Sequence, residues 1–127
     1  MNHAVIGLGS NIEPQKNIQS AREIIGRKFR IMAESEFKIT KPIGHIQQPD
    51  FLNGTVSIEV SIGIDQLKAD LREIESELGR ARTKDRSGPR TIDLDIVVWN
   101  NSVVDQDFYN REYLKQSVLE LIPNLEY

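Results

Sequence analysis

Hydrophobic residues along the first part of the chain form two different patterns, a continuous run and a regular spacing. Residues 4–8 form a short apolar run that ends at Gly9, which predicts a buried strand followed by a turn. The next apolar residues are spaced three or four positions apart, which predicts a first helix over about residues 14–28. Pro14 suits its first turn, because an N–H there would be unpaired in any case.

The rest of the chain continues this alternation of strands and helices. Residues 30–40 and 51–60 favour strands, and residues 41–50 between them contain two prolines and predict a loop. A 3-4-3-4 apolar spacing predicts a second helix that ends near Leu78, with Gly79 as a left-handed C-terminal cap. Residues 91–99 then predict a strand and residues 110–121 a short helix.

The order strand, helix, strand, strand, helix, strand is that of the ferredoxin-like βαββαβ fold. We therefore predict an α+β protein whose two longer helices cover one face of an antiparallel sheet, followed by a short C-terminal helix. The opposite face of the sheet is expected to be open. The length of 127 residues suits a single domain over residues 1–127.

The composition excludes several classes of function. The chain has no cysteine, which excludes disulfides, thiolate catalysis and cysteine-ligated zinc. Its two histidines are too few for a histidine zinc centre. A net charge of −3 gives no support to nucleic-acid binding by overall attraction. The first apolar run is too short for a signal peptide or a membrane span. We therefore expect a cytoplasmic protein that does not associate with a membrane.

Two aspartates alternate with apolar residues in the strand predicted over residues 91–99. Side chains of a strand point alternately to its two faces, so Asp93 and Asp95 share a face, roughly 7 Å apart along the backbone. Two neighbouring carboxylates repel each other, and a divalent cation removes that cost. Oxygen ligands alone favour magnesium over zinc. The alternative is that both aspartates simply face water.

The segment before this strand is rich in cations. Its basic side chains are Arg80, Arg82, Lys84, Arg86 and Arg90. Cations beside a two-carboxylate metal site are what a polyphosphate ester requires, whereas the alternative is a solvated basic loop that balances the acidic helix before it. A Walker phosphate loop is absent from the sequence, because Gly7 and Gly9 are not followed by its Gly-Lys-Ser/Thr.

Four separated motifs now give a specific resemblance. They are GLGSN at residues 7–11, QPDFLN at 48–53, GRAR at 79–82 and GPRTIDLDI at 88–96. In their order and spacing they resemble the motifs of the 6-hydroxymethyl-7,8-dihydropterin pyrophosphokinase family. The resemblance implies a folate-pathway enzyme that transfers pyrophosphate from ATP to the hydroxymethyl group of the pterin and releases AMP.

The resemblance also implies a role for individual residues. Asp93 and Asp95 would hold two Mg²⁺ ions along the triphosphate of ATP, and Arg80 and Arg90 would stabilise the charge on the transferred group. Further ATP contacts would come from Arg82, Arg111 and, near the adenine, Ile96. The pterin pocket would be lined by Thr40, Pro42, Ile43 and Asn53, with the ring between Phe51 and Tyr113. Glu75 would be an acid that faces the site.

Several positions depart from the family pattern, among them Phe51, which occupies a place often held by tyrosine. Ser87 stands where the family often carries an aromatic residue, and Asp105 or Gln106 falls about where it has a histidine near the phosphates. Since Arg80, Arg90 and both strand aspartates are retained, we expect a working enzyme, slower or with weaker closure on ATP than a fuller relative.

There are three alternatives to this enzyme, and the sequence disfavours the second and the third. The first is a relative that binds pterin or nucleotide without turnover. An RNA-binding module would need aromatic residues where Asp93 and Asp95 stand. A sugar-nucleotide transferase would need a larger nucleotide-binding sheet than this chain can form.

Overall fold

The computed structural model describes residues 1–42, 48–79 and 91–127. The strands are β1 (Asn2–Ser10), β2 (Arg30–Glu34), β3 (Lys38–Thr40), β4 (Phe51–Val60), β5 (Asp93–Trp99) and β6 (Ser102–Val103). The helices are α1 (Pro14–Lys28), α2 (Ile64–Glu77), α3 (Asp107–Asn110) and α4 (Glu112–Leu121). The predicted bounds of α1 and β4 are confirmed. The chain is an α+β protein, as expected.

The strands form one antiparallel sheet in the order β2-β4-β1-β5-β6, and β3 pairs with β4 beside β2. The single strand predicted over residues 30–40 is therefore interrupted. Between Glu34 and Lys38 the chain advances four positions, while the paired residues of β4 advance three, from Val56 to Asn53. The extra residue cannot pair, which breaks the strand into β2 and β3.

One face of the sheet, the core face, carries the main hydrophobic core. Ile6 of β1, Ile58 of β4 and Leu94 of β5 are fully buried on it, together with apolar residues of α1 and α2. Gly79 has a φ of 86° just after α2 and so confirms the predicted left-handed cap. Burial of this apolar surface is the main stabilising contribution to the fold.

The opposite face, the cleft face, is not open as predicted, because α3 and α4 cover part of it. A second apolar cluster joins Val5, Val97 and Val98 of the sheet to Phe108 of α3 and Val118 of α4. A register shift in β5 explains how two consecutive valines reach the same cluster: Val5 pairs with Val98 and Ile6 with Ile96, so Val97 is an extra residue.

The C-terminal helix predicted over residues 110–121 corresponds to α4, and α3 is a short helix before it that the sequence pattern did not predict. Arg111 has an extended backbone, with φ −125° and ψ 105°, and separates α3 from α4. Within the described parts of the chain, no helix has the length and apolar character needed to span a bilayer.

Candidate active site

A cleft of about 1130 Å³ lies between the uncovered part of the cleft face and α4. Its floor comes from β1, β4 and β5, and its walls from β3, α4 and the segment before α4. Most of the sequence-predicted site residues that the structure describes line this cleft. They are Thr40, Phe51, Asn53, Asp93, Asp95, Arg111 and Tyr113.

The two strand aspartates lie at the floor of the cleft, opposite two glycines. Asp95 pairs in register with Gly7, and Asp93 with Gly9. A Cβ added to Gly7 would come within 3.3 Å of Val97 Cγ2, so this position leaves little room for a side chain. The prediction that both carboxylates share one face is confirmed, because both line the cleft while Leu94 between them is fully buried in the core.

The electrostatic environment of Asp95 disfavours its charged form. Burial, followed by the charge of Asp93, raises the pKa of Asp95 to about 7. The guanidinium of Arg72 acts in the opposite direction and lowers this pKa. Burial also raises the pKa of Asp105, which lines the same cleft. The floor therefore concentrates negative charge that a bound cation would offset.

Arg72 and Glu75 of α2 support this floor from the edge of the sheet. Glu75 is only 2% exposed, and its Oε2 accepts a hydrogen bond of 2.8 Å from the backbone N–H of Leu94. Arg72 donates to Glu75 Oε1 at 2.6 Å and, through its other terminal nitrogen, to Asp95 Oδ1 at 3.4 Å. Glu75 thus pairs with a backbone N–H at the edge of β5, and Arg72 brings a positive charge to Asp95.

The family resemblance implied that Glu75 faces the site, whereas Glu75 is buried and is not among the residues that line the cleft; sequence reasoning missed Arg72. The spacing of three positions between them signals that they are neighbours on α2. Nothing in that spacing indicates the contact with Asp95, which depends on how α2 packs against the edge of β5. Asp107 and Lys38 also line the cleft and were not predicted.

The donor atoms at the floor suit magnesium. Asp93 and Asp95 offer carboxylate oxygens, and no cluster of three or more potential metal ligands exists within residues 1–42, 48–79 and 91–127. Mg²⁺ commonly binds through one or two carboxylates and completes its shell with water and substrate phosphates. Two side chains that face a wide cleft therefore fit a magnesium ion that arrives with a phosphate ligand.

Across Gly9 from Asp93, the cleft is lined by the Asn53 amide and the Phe51 ring, and Tyr113 lines it from α4. The Asn53 amide nitrogen donates a hydrogen bond to Thr40 Oγ1, which links β4 to β3. A Cβ on Gly9 would lie 2.6 Å from Asn53 Oδ1, so this glycine leaves space for the amide. Phe51 and Tyr113 are both half-buried and come from opposite sides, one from β4 and one from α4.

The remaining predicted residues are placed as follows. Arg111 lies between α3 and α4, 3.6 Å from Asp107 Oδ2. Ile96 is 7% exposed, belongs to the core cluster and is not among the residues that line the cleft, and its place near the adenine stays a prediction. It shares the core face with Leu94 because it is two positions further along β5. Pro42 is half-buried beyond the end of β3 and is not among the lining residues.

Several predictions fall outside the described residues. They concern Arg80 and Arg90 as catalytic residues, Arg82 as an ATP contact, Ile43 as a pterin contact and Ser87.

Comparisons with known proteins agree with the motifs. The family model described as 7,8-dihydro-6-hydroxymethylpterin-pyrophosphokinase (HPPK) matches residues 5–123. Three proteins named 2-amino-4-hydroxy-6-hydroxymethyldihydropteridine pyrophosphokinase are similar. The one from Haemophilus influenzae is 32% identical over 96% of this chain and 82% of its own length. The one from Bacillus subtilis is 31% identical over 98% of this chain and 81% of its own length.

The third relative, from Pseudomonas aeruginosa, is 38% identical over 79% of this chain and 63% of its own length. The segment matched by the family model contains every residue that lines the described cleft, from Gly7 to Glu120. On this extent of similarity, the chain belongs to the 7,8-dihydro-6-hydroxymethylpterin-pyrophosphokinase family.

Proposed function

We propose that this chain transfers pyrophosphate from ATP to 6-hydroxymethyl-7,8-dihydropterin, giving AMP and the pterin diphosphate for folate biosynthesis. Membership of the family and the names of its relatives support the reaction. One structural observation carries it: a carboxylate pair and a polar pocket flanked by aromatic rings open into the same cleft. A phosphate donor and a flat acceptor can therefore meet there.

In this proposal, the phosphates of ATP lie over Asp93 and Asp95. The pterin hydroxyl oxygen forms a bond to the β-phosphorus, and the bond from that phosphorus to the α,β-bridging oxygen breaks, so AMP leaves with that oxygen. The hydroxyl proton passes to solvent. Such a transfer needs alignment and charge neutralisation more than a strong base.

We propose Asp93 and Asp95 as the ligands of two Mg²⁺ ions, which would supply positive charge to the phosphate oxygens. Arg72 would keep Asp95 oriented from the sheet edge, since it lies 3.4 Å away. Arg111 would contact the phosphates from the α4 side, and Arg82 would do so from its own segment. Arg80 and Arg90 remain the proposed catalytic cations, because the transferred group carries its largest negative charge in the transition state.

The pterin ring would occupy the end of the cleft between Phe51 and Tyr113. Stacking of this kind contributes about 0.5–1.5 kcal/mol per contact beyond burial of area. Asn53 offers both a donor and an acceptor to the polar edge of the ring, and Thr40 fixes the orientation of its amide. Pro42 and Ile43 are proposed to close the outer side of this pocket.

We extend the proposal to the fold plan, the domain organisation, the location and the partners of the chain. If β2 and β3 are counted as one interrupted strand, the sheet order follows the ferredoxin-like plan. Residues 1–127 would form a single domain. ATP as co-substrate agrees with a cytoplasmic location, and a floor of carboxylates disfavours nucleic acid as a partner.

Product analysis of the wild-type protein tests the proposal. The protein is incubated with Mg²⁺, ATP and 6-hydroxymethyl-7,8-dihydropterin, and the products are separated by chromatography. We expect AMP and pterin diphosphate in equal amounts, and no AMP when either pterin or Mg²⁺ is left out. ADP as the product would contradict the transfer of pyrophosphate. Pterin binding without any AMP would indicate the non-catalytic relative.

A further inference from the structure

Three buried or half-buried hydroxyl groups form a connected network between β4, α4 and the break that precedes β3. We define this hydroxyl cluster as Ser35, Thr55 and Ser117. Thr55 is fully buried and Ser35 is 6% exposed. Ser117 Oγ lies 2.8 Å from Ser35 Oγ and 2.9 Å from Thr55 Oγ1. Thr55 Oγ1 also donates to the Ser117 carbonyl at 3.1 Å, so the three side chains act as one unit.

The hydroxyl cluster joins three separate parts of the fold. Thr55 belongs to β4, Ser117 to α4, and Ser35 to the break between β2 and β3. Ser35 also supplies hydrogen bonds to β4 at this break in the strand pairing. Its Oγ accepts from the Thr55 N–H at 2.8 Å, and its own N–H donates to the Thr55 carbonyl at 2.9 Å. Glu120 adds to the junction, since its Oε1 accepts from the Glu36 N–H at 3.0 Å.

Each part that meets at the hydroxyl cluster also carries a residue of the proposed pterin pocket. Asn53 lies two positions before Thr55 and therefore on the same face of β4. Tyr113 lies four positions before Ser117, one turn away on the same side of α4. The break that contains Ser35 leads directly into β3, whose Thr40 accepts the hydrogen bond from Asn53. The cluster thus adjoins the walls of the proposed pocket, and its member Ser117 also lines the cleft.

Apolar packing alone would fix this geometry poorly. The contacts of α4 with the sheet include Leu114 and Val118, and hydrophobic contacts of this kind are not directional. Hydrogen bonds have narrow ranges of distance and angle, and a fully satisfied buried network gives rigidity. Among the described residues, no buried side-chain nitrogen or oxygen lacks a hydrogen-bond partner.

We propose that the hydroxyl cluster positions α4 on β4 and so sets the spacing between Tyr113 and the Phe51–Asn53 side of the pterin pocket. Ser35, Thr55 and Ser117 are positioning residues that act through the groups in contact with the ring. The inference rests on the proposed pterin substrate. It does not involve Asp93 or Asp95. Because Arg111, the proposed ATP contact nearest to the cluster, directly precedes α4, ATP binding should change much less than pterin binding.

The decisive variant is Thr55→Val, because Thr55 is fully buried and cannot touch a ligand directly. The substitution nearly preserves volume and removes one hydroxyl. Thr55→Ser is the conservative variant that restores the hydroxyl. Ser57→Ala is the matched control, since Ser57 is two positions further on the same face of β4 and lines a different, smaller cleft.

The dissociation constant of the pterin is measured with Mg²⁺ and an ATP analogue whose α,β-bridging oxygen is replaced by methylene, so that no AMP can leave. Steady-state kinetics with ATP gives KM for each substrate and kcat. We expect Thr55→Val to weaken pterin binding by about five- to tenfold, the effect of one hydrogen bond. KM for ATP and kcat should stay within about twofold, and Thr55→Ser and Ser57→Ala should resemble wild type.

Ser35→Ala provides a second test if Thr55→Val does not fold, because Ser35 is 6% exposed and is not among the residues that line the cleft. The same selective loss of pterin affinity is expected. The inference is overturned if either folded variant weakens both substrates equally, or lowers only the melting temperature while pterin affinity is unchanged. A wild-type protein that does not bind the pterin would instead contradict the proposed function itself. The wild-type measurement therefore separates the two failures.

Discussion

The two faces of the central sheet are formed by alternate residues of the same strands, but one face is apolar and buried and the other lines the cleft. On β5, Leu94 is fully buried on the core face, while its neighbours Asp93 and Asp95 line the cleft. On β1, Ile6 and Leu8 enter the core, while Gly7 and Gly9 face the cleft. The core face removes apolar area from water, whereas the cleft face keeps charge and empty space.

This difference means that stability and function depend on different residues only one position apart. The core face stabilises the fold by burial of apolar surface. The cleft face opposes it, because burial and Asp93 raise the pKa of Asp95 to about 7 and make its ionised form costly. Costly burial of a charged group is expected at a site where activity and stability make opposite demands. Substitutions on the two faces should therefore have opposite signatures.

Asp95→Asn should have the largest effect of the substitutions considered, and it should act on turnover. Loss of a carboxylate that faces the phosphates should reduce kcat by about a thousandfold or more, since charge stabilisation there contributes several kcal/mol. AMP release under saturating substrates measures it. Turnover within tenfold of wild type would contradict the assignment of Asp95 as a metal ligand.

The same variant should be more stable than wild type in EDTA. The folded-state pKa of Asp95, about 7, lies above the ordinary value of 3.8, so the folded protein holds this proton more tightly. The associated stability is fully present below about pH 4 and is lost as the pH rises to about 7. Because 43% of the side chain is exposed, we expect a gain of only about 1 kcal/mol for Asp95→Asn at pH 8.

Urea unfolding at pH 4 and pH 8 tests this dependence. The difference between wild type and Asp95→Asn should be larger at pH 8 than at pH 4. A difference that is equal at both pH values would show that the ionisation of Asp95 does not affect stability.

Leu94→Ala should give the opposite signature one residue away. Truncation of a fully buried leucine should lower the free energy of unfolding by about 3 kcal/mol, through lost transfer energy and the cavity left behind. The backbone N–H that donates to Glu75 is retained in this variant. Urea denaturation measures the loss, and pterin and ATP KM should stay close to wild type where the variant is folded. A large loss of substrate affinity without a loss of stability would remove the distinction between the faces.

Gly9→Ala should have an intermediate effect, confined to the pterin end. Its Cβ would lie 2.6 Å from Asn53 Oδ1, so the amide must move and its hydrogen bond to Thr40 is disturbed. We expect pterin affinity about tenfold weaker, in the range of a lost hydrogen bond, and unchanged ATP affinity. Equilibrium binding of each ligand checks this. Equal weakening of both would argue against Asn53 as a pterin contact.

Gly26→Ala should have the smallest effect, on the core side of the molecule. Gly26 is exposed in α1, and an added Cβ would be 3.4 Å from Ile31 Cδ1. Alanine has the higher helix propensity, so we expect a gain of about 0.5–1 kcal/mol in the free energy of unfolding with unchanged activity. The measurement is again urea denaturation. A loss of stability would mean that Ile31 cannot adjust.

The core face could be predicted from the sequence in some detail. The bounds of α1 and β4 follow from hydrophobic period and from local signals such as Pro14. Alternation in β5 predicted that Asp93 and Asp95 share a face, and the structure confirms it. Local patterns succeed here because each one depends only on neighbours along the chain.

Features that depend on contacts distant in sequence were not predictable in this way. The amphipathic pattern of α4 does not indicate that it covers the cleft face. The link from Arg72 to Asp95 depends on the packing of α2 against β5. The burial of Ile96 on the core face follows from its position two residues after Leu94, whereas its predicted contact with the adenine is not tested by the fold.

The most direct test of the account compares AMP release by Asp95→Asn and Leu94→Ala, per folded molecule, with Mg²⁺, ATP and 6-hydroxymethyl-7,8-dihydropterin. The account predicts pterin-dependent AMP release by Leu94→Ala close to that of wild type, and about a thousandfold less by Asp95→Asn. AMP release by Asp95→Asn at the wild-type rate would contradict the claim that the cleft face carries the catalytic chemistry.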